Sequence, residues 1–186
     1  MIKLNLKEKS FDGNIILKDL EVKINKGDIV HIVGESGIGK TTLMRILMGV
    51  DQNFDGEIEN HFSSMAATYP ERVFMSGISI LNEIKIFTGK TKAEINSALE
   101  ILNMVDANDK KASELSTGMR SRASIIRAML KDANIVFLDE PLLGLDPKTK
   151  DLALRFIIDH SQGKAIVYTG EQIFPDEIRL CLQENI

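Results

Sequence analysis

The chain has 186 residues, of which 44% are hydrophobic and 27% are charged, and its formal net charge is −4. This length suits one domain with a full core, and no apolar run approaches the roughly 20 residues that a membrane helix needs. No run of Lys and Arg exceeds two residues. The composition therefore argues against a membrane-spanning protein and against non-specific binding of nucleic acid.

The N-terminus indicates a cytoplasmic protein, and the cysteine content excludes an intrachain disulfide. Residues 1–7 alternate like a strand and lack the apolar core of a signal peptide. Cys181 is the one cysteine of the chain, so an intrachain disulfide is impossible. We expect Cys181 to be a small core residue on a late strand.

In chain order, the first third of the sequence predicts strands on either side of a glycine-rich loop. Alternating strands are predicted over residues 2–6 and 20–25, with a polar turn at residues 12–14. A strand at residues 29–33 leads through the loop into a helix that stops at Gly49. Asp55 and Gly56 are predicted to form a turn, and short strands follow over residues 57–60 and 65–69.

The remaining two thirds predict helices that alternate with strands. Helices are predicted over residues 78–87, after a capping box formed by Thr91 and Glu94, from Ser116 to Leu130, and from Pro147 to about residue 160. The second of these would bury Ile95, Ala98, Leu99, Leu102 and Val105. Strands are predicted over residues 134–138, 165–168 and 178–182. This alternation predicts an α/β fold with a mostly parallel sheet flanked by helices, which binds ligands at the carboxyl ends of its strands.

The loop at residues 34–41 reads Gly-Glu-Ser-Gly-Ile-Gly-Lys-Thr between a predicted strand and a predicted helix. Its glycines allow consecutive N–H groups to converge on phosphate oxygens at the N-terminus of the helix. Lys40 would place a positive charge on the outer phosphates, and the Thr41 hydroxyl would be a ligand of Mg²⁺. The pattern predicts a nucleotide site, and the alternative is a glycine-rich turn that binds nothing.

The buried strand at residues 134–138 ends in two adjacent carboxylates, Asp139 and Glu140. Since buried charges need partners, a metal ion is one explanation. Successive side chains of a strand diverge, so Asp139 would approach a Mg²⁺ ion on Thr41 while Glu140 would point at the water that attacks the γ-phosphate. The alternative is a pair of surface carboxylates at the end of a strand.

The chain resembles the ATP-binding cassette (ABC) ATPases, which are the nucleotide-binding subunits of ABC transporters. It contains three motifs of this family in the family's order. Residues 34–41 resemble the Walker A motif, residues 115–119 (Leu-Ser-Thr-Gly-Met) the signature, and residues 135–140 the Walker B motif. Residues 144–146 resemble the D-loop. The resemblance covers essentially the whole chain, and the three motifs together are far more specific than any one of them.

The resemblance implies the P-loop NTPase fold of ABC type: one domain over residues 1–186, with an N-terminal antiparallel β part and a helical subdomain at approximately residues 72–130. It implies ATP and Mg²⁺ as ligands and a head-to-tail homodimer, in which Ser116 and Gly118 of one chain close on the γ-phosphate held by the other. Phe11 matches the aromatic position that stacks on adenine, with a core role as the alternative. The implied catalytic residues are Lys40 and Glu140, the metal ligands Thr41, Asp139 and Glu71, and the nucleotide contacts Phe11, Gly34, Glu35, Ser36, Gly37, Ile38, Gly39, Lys40, Thr41 and Thr42 in cis.

The sequence departs from the family pattern at several positions. Glu71 stands where the family has the Q-loop glutamine, and a carboxylate can ligate Mg²⁺ but cannot donate a hydrogen bond. Gly170 stands where the family has its switch histidine, so we expect slow turnover of ATP. The signature contains Thr117 and Met119 in place of the usual glycine and glutamine. The three histidines, His31, His61 and His160, lie elsewhere in the sequence, and we expect them to be structural or surface residues.

The leading hypothesis is an ATP-hydrolysing subunit that energises transport through separate membrane permease subunits. Such a protein would be cytoplasmic and would lie on the inner face of the membrane through its partners. The alternative is a non-transport ATPase that acts as a nucleotide-gated, dimerising module for a soluble partner. A small-molecule P-loop kinase is disfavoured because it does not account for the signature at residues 115–119.

Overall fold

The computed structural model describes residues 1–68 and 74–183, and its N-terminal part is a three-stranded antiparallel sheet. Strand β1 (Ile2–Phe11) pairs on one side with β2 (Asn14–Ile24) and on the other with β4 (Asp55–Asn60). Both predicted N-terminal strands are confirmed, and they are longer than the alternating residues indicated. The prediction of a turn at Asp55 and Gly56 is wrong, because both residues belong to β4, where Gly56 pairs with Leu6.

In the described part of the chain, the second sheet contains five strands, and all of its pairings are parallel. Its strands are β3 (Ile29–Val33), β5 (Met65–Thr68), β6 (Ile135–Leu138), β7 (Ala165–Tyr168) and β8 (Ile178–Cys181). Their order in space is β5-β6-β7-β3-β8. Because β7 lies between β6 and β3, the loops that follow these three strands meet at one edge of the sheet, where ligands of parallel sheets bind.

Among the described residues, five helices connect or follow these strands: α1 (Lys40–Leu47), α2 (Ile80–Thr88), α3 (Lys92–Ile101), α4 (Thr117–Leu130) and α5 (Pro147–Asp159). The capping box of Thr91 and Glu94 is present at the start of α3, and Ser116 caps α4. Short 3₁₀ turns span Val105–Ala107 and Ala112–Glu114. Val105 was predicted on the buried face of α3, but the helix ends at Ile101 and Val105 is exposed.

The parallel sheet is buried on both faces, because alternate residues of β6 and β7 belong to two different apolar clusters. Val136 and Leu138 pack with residues of α2 to α5, whereas Ile135 and Phe137 pack with α1 and the antiparallel sheet. This arrangement explains the unbroken apolar runs of these strands.

The last strand, β8, is at the edge of the sheet. Cys181 is exposed there, so the expectation that it is a core residue is wrong. An edge strand has a neighbouring strand on one side only, so some of its side chains are exposed to solvent. The short apolar pattern of β8 did not reveal which side chains these are. None of the described helices is both long enough and apolar enough to cross a membrane.

Candidate active site

The loop between β3 and α1 presents the N-terminus of a helix to an open cavity. Gly39 occupies the N-cap position of α1 at φ +106°, and it provides no side-chain cap. A Cβ atom at Gly39 would lie 2.9 Å from side-chain atoms of both Ile16 and Leu17. Only glycine therefore fits, and the first N–H groups of α1 are left for an anion to bind.

Lys40 folds back over this loop. Its ammonium group donates hydrogen bonds to the main-chain oxygens of Gly34 at 2.8 Å and Glu35 at 2.7 Å. The adjoining cavity has a volume of about 240 Å³. Its lining includes most of the loop residues predicted to bind nucleotide, together with Glu140: Ser36, Gly37, Gly39, Lys40, Thr41, Thr42 and Glu140.

Asp139 follows β6 and joins the first turn of α1. The Thr41 hydroxyl donates to Oδ2 of Asp139 at 2.8 Å, although 98 positions separate the two residues in sequence. The Thr169 hydroxyl donates to Oδ1 at 2.6 Å, and the Asp139 amide donates to Oγ1 of Thr68 at 3.1 Å. Asp139 is only 5% exposed, so these hydroxyl groups fix the direction of its carboxylate.

Glu140 lines the cavity and has an unusual backbone conformation, with φ +44°. Its amide donates to Oγ1 of Thr169 at 2.9 Å, so one threonine hydroxyl contacts both carboxylate residues. Gly170 lies directly against Glu140, because an added Cβ at Gly170 would be 3.4 Å from Cα of Glu140. The structure thus brings together Lys40, Thr41, Asp139, Glu140 and Gly170.

A network of polar groups lies behind Gly170. Nε2 of His31, on β3, is 3.0 Å from the main-chain oxygen of Gly170, and Nδ1 is 3.0 Å from Oε1 of Glu177. The Tyr168 hydroxyl donates to the other carboxylate oxygen of Glu177. Burial raises the pKa of Glu177, but hydrogen bonds from Tyr168, His31 and Arg179 outweigh it, so the net pKa is lowered. Burial and the bond to Glu177 raise the pKa of Tyr168 to about 12.

Sequence reasoning did not single out four of these residues, Thr68, Thr169, Tyr168 and Glu177, and it left His31 as a structural or surface residue. Their positions in the chain carry no motif, because hydroxyl and imidazole groups at strand ends are common. One signal was available for His31, which is the one polar residue in the apolar strand Ile29–Val33.

Phe11 is at the end of β1 and is 49% exposed, so the alternative that it fills the core is wrong. It borders an open cavity of about 720 Å³, next to Arg45 and residues 50–53. The ammonium of Lys9 lies 4.3 Å from the centroid of the Phe11 ring, and Lys9 itself is buried and paired with Asp51 at 2.8 Å. Stacking of Phe11 on adenine stays a prediction.

Ser116 and Gly118 do not line the loop cavity of their own chain. The Ser116 hydroxyl accepts a hydrogen bond from the Met119 amide at the start of α4. Gly118 lies near the predicted D-loop, since an added Cβ would be 3.8 Å from the main-chain oxygen of Gly144. Glu71 lies outside the described residues. Within residues 1–68 and 74–183, no three His, Cys, Asp or Glu side chains form a metal cage.

Comparisons with known proteins agree with this architecture. A family model described as ABC transporter matches residues 17–143. The aliphatic sulfonates import ATP-binding protein SsuB 1 of Rhizobium johnstonii is 32% identical over 201 residues, and the alignment covers 94% of this chain and 73% of that protein. Several relatives are longer than this chain. In three of them, the match covers 70%, 42% and 64% of the relative's own length.

Solved structures give the same result. A structure from Pyrococcus furiosus, described as an ABC transporter ATP-binding protein, has a TM-score of 0.80 and 25% identity, and the match covers 97% of this chain and 96% of that one. The dimeric ATP-binding cassette MJ0796, in a post-hydrolysis state with ADP and phosphate, has a TM-score of 0.78. It is 22% identical, and the match covers 93% of this chain and 89% of that chain, so this likeness concerns the fold.

Proposed function

Because the chain belongs to the ABC transporter family, we propose that it is the ATP-binding and ATP-hydrolysing subunit of a transporter with separate membrane permease subunits. The observation that carries this proposal is the hydrogen bond of 2.8 Å between Thr41, at the phosphate loop, and Asp139, beside Glu140. It joins a phosphate-binding helix terminus to an acidic pair, which is the pairing that ATP hydrolysis needs.

The phosphates of ATP bind in the cavity between the loop and Glu140. The N–H groups at the start of α1 and the ammonium of Lys40 supply fixed positive charge to the phosphate oxygens. In the structure, Lys40 is bonded to two loop oxygens, and a phosphate replaces these weaker acceptors with charged ones. Phe11 stacks on the adenine base from the end of β1.

The oxygen atoms at the site fit Mg²⁺. Thr41 and Asp139 present a hydroxyl and a carboxylate within hydrogen-bond distance of each other, and Mg²⁺ prefers hard oxygen ligands of this type together with phosphate oxygens. Thr41 and Asp139 would hold the ion, with Glu71 as the further ligand that the sequence suggests. When bound, Mg²⁺ neutralises charge that develops on the phosphates.

Glu140 acts on the attacking water. Glu140 lines the cavity, and its carboxylate accepts a proton as the water oxygen attacks the γ-phosphorus and the bond to ADP breaks. Thr169 and Gly170 hold the Glu140 backbone. No side chain at Gly170 reaches the γ-phosphate, and we therefore expect turnover to be slow relative to binding.

The active unit is a head-to-tail homodimer. One chain supplies the loop and the acidic pair, whereas Ser116 and Gly118 lie outside that cavity at the N-terminus of α4. A helix N-terminus with an exposed Ser116 offers donors to an anion held by a second chain. ATP then stabilises the pair because it binds both surfaces.

A groove between the ends of α1, α2 and α4 suits a permease segment. Its volume is about 450 Å³, and its lining is mostly apolar: Met48, Val50, Met65, Ala66, Ala67, Phe87, Arg127, Ala128 and Lys131. Phe87 is 42% exposed, and the guanidinium of Arg127 lies 5.0 Å from its ring centroid. Arg127 is already paired with the buried carboxylate of Glu83. The occupant we propose is a cytoplasmic segment of the permease, with an apolar face and an acidic group that pairs with Lys131.

The decisive experiment uses Glu140→Gln with ATP and Mg²⁺. We expect hydrolysis, measured as phosphate release without any acceptor, to fall by about 10²- to 10⁴-fold, and dimers to accumulate in light scattering. Glu59→Gln, which alters an exposed carboxylate on β4, serves as the control and remains active and does not accumulate dimers. A strict monomer that neither binds nor hydrolyses MgATP would contradict the proposal.

The permease assignment has its own test. Phe87→Asp places a charge in the groove and is expected to abolish recovery of the protein with membranes of the native cell. Ile86→Asp is the matched control, because Ile86 is its exposed neighbour on α2 and does not line the groove. Equal membrane recovery of both variants, or co-purification of the wild type with a soluble protein only, would contradict a permease partner.

A further inference from the structure

We propose that His31 is a positioning residue for hydrolysis, which fixes the main chain of Gly170 and through it the backbone of Glu140. This inference rests on the proposed ATP hydrolysis. His31 does not touch the nucleotide cavity, and its side chain is only 7% exposed. We therefore assign it an indirect role: it lies behind the residues that face the cavity and holds them in place.

Both ring nitrogens of His31 have fixed partners. The main-chain oxygen of Gly170 can only accept a hydrogen bond, so Nε2, at 3.0 Å, carries a hydrogen and donates it. Nδ1 faces Glu177, whose side chain is 2% exposed. The His31 ring also stacks on Tyr168, with ring centroids 4.3 Å apart and planes at 9°. A flip of the ring would break both polar contacts, and a tilt of its plane would also break the stacking.

Glu177 is in turn held from several sides. The Tyr168 hydroxyl donates to Oε2, and Nε of Arg179 donates to Oε1 at 3.1 Å. The Tyr168 hydroxyl also accepts the Ile173 amide at 3.2 Å. These bonds tie both ends of the segment from residue 168 to residue 177 to β3, so the loop after β7 has little freedom to move away from the sheet.

The loop then determines the position of Glu140. Thr169, between Tyr168 and Gly170, bonds to the Glu140 amide at 2.9 Å and to the Asp139 carboxylate at 2.6 Å. Gly170 packs against Cα of Glu140. A non-glycine residue at φ +44° persists only where its surroundings fix it, and the Thr169–Gly170 segment is part of those surroundings. His31 is thus connected through Gly170 to Glu140, the residue that acts on water.

The local sequence also sets His31 apart from an ordinary core residue. Its neighbours on β3, Val30 and Ile32, are buried and apolar, and an apolar side chain at position 31 would fit that pattern. A polar residue that breaks a local rule in a buried strand is expected where function needs it.

Three substitutions of His31 separate positioning from packing. The amide nitrogen of glutamine reaches the position of Nε2, so His31→Gln keeps the donor to Gly170. The amide nitrogen of asparagine reaches the position of Nδ1, so His31→Asn keeps the hydrogen bond to Glu177 and loses the hydrogen bond to Gly170. His31→Phe keeps the stacking on Tyr168 and loses both donors.

We expect kcat to fall by about 10- to 100-fold in His31→Asn and His31→Phe, with KM for MgATP unchanged, because a small displacement of a catalytic group has effects of that size. His31→Gln is expected to retain most of the wild-type kcat. The control is His160→Asn, which alters a histidine packed on Phe156 at the end of α5 and leaves kcat unchanged.

A second measurement does not depend on activity. Hydrogen exchange of the Glu140 amide should become faster in His31→Asn and His31→Phe but not in His31→Gln, since the amide is protected by Thr169. The inference is overturned if His31→Asn matches the wild type in both kcat and exchange. It is also overturned if all three variants lose kcat in proportion to a fall in Tm. A wild type that releases no phosphate would instead refute the proposed hydrolysis, and the exchange data would still decide whether His31 holds Glu140.

Discussion

The loop after β3 and the loop after β7 meet the same pair of carboxylates, but they are built differently. The loop after β3 forms its cavity from consecutive residues, with Gly39 and Lys40 contributing backbone and charge within one turn of α1. The loop after β7 contributes the Thr169 hydroxyl and the Gly170 backbone, and it is held by His31, 139 positions away from Gly170.

Under the proposed function, this difference assigns a different task to each loop. Phosphate binding needs closely spaced N–H groups and one flexible cation, which a short segment can supply by itself. Orientation of a carboxylate for proton transfer needs contacts from several directions, which only distant segments can supply. We therefore expect changes in the first loop to affect mainly binding and changes in the second loop to affect mainly turnover.

Among the residues of these two loops, the largest effect is expected at Lys40. Lys40→Met removes the cation from the cavity, and the affinity for MgATP should fall by about 10- to 100-fold, since hydrogen bonds from a charged group contribute about 1.5–3 kcal/mol. Titration calorimetry measures this loss. Lys26→Met removes an exposed lysine from the turn before β3 and should not alter the affinity. Unchanged binding in Lys40→Met would mean that the first loop does not hold the phosphates.

A smaller effect, on turnover, is expected at Thr169. Thr169→Val keeps the shape of the side chain but removes the hydroxyl that bonds to Asp139 and Glu140, and kcat should fall by about tenfold, as a loss of roughly 1.4 kcal/mol would produce. KM should change little. Thr169→Ser retains the hydroxyl and should remain close to the wild type in a steady-state phosphate assay. A rise in KM without a fall in kcat would contradict the division of tasks.

The smallest effect is expected at Gly170, which lies at φ +95°. Gly170→Ala should lower Tm by about 2–4 °C, because a left-handed residue with a side chain costs about 1 kcal/mol. Gly163→Ala, at φ +75° with open space around it, is the control for this strain alone and should show a similar fall in Tm with no change in kcat.

Gly170→His tests whether the missing histidine slows turnover. It has the same backbone strain as Gly170→Ala, so the ratio of the two kcat values isolates the contribution of the imidazole. We expect a modest gain in kcat for Gly170→His over Gly170→Ala. The expectation of slow turnover would be refuted if both variants had equal rates and the wild-type protein already hydrolysed ATP rapidly.

The sequence revealed the parts of the fold that depend on local patterns. The unbroken apolar runs of β6 and β7 indicated strands buried on both faces, and the capping box at Thr91 indicated the start of α3. The errors lie where tertiary contacts override the pattern. Gly56 is in a strand because β1 provides a partner for it, and Cys181 is exposed because β8 has a neighbour on one side only.

By itself, the sequence determined the fold class and the glycine-rich loop between a strand and a helix, because the spacing of glycines, Lys40 and apolar residues acts over one strand and one helix. It also determined that Asp139 and Glu140 end a buried strand. Only the tertiary structure decided that Thr41 meets Asp139, that Thr169 holds the Asp139 carboxylate and the Glu140 amide, and that His31 lies behind Gly170. These contacts join residues 29 to 139 positions apart, and their geometry comes from the order of β6, β7 and β3 in the sheet, which no local pattern encodes.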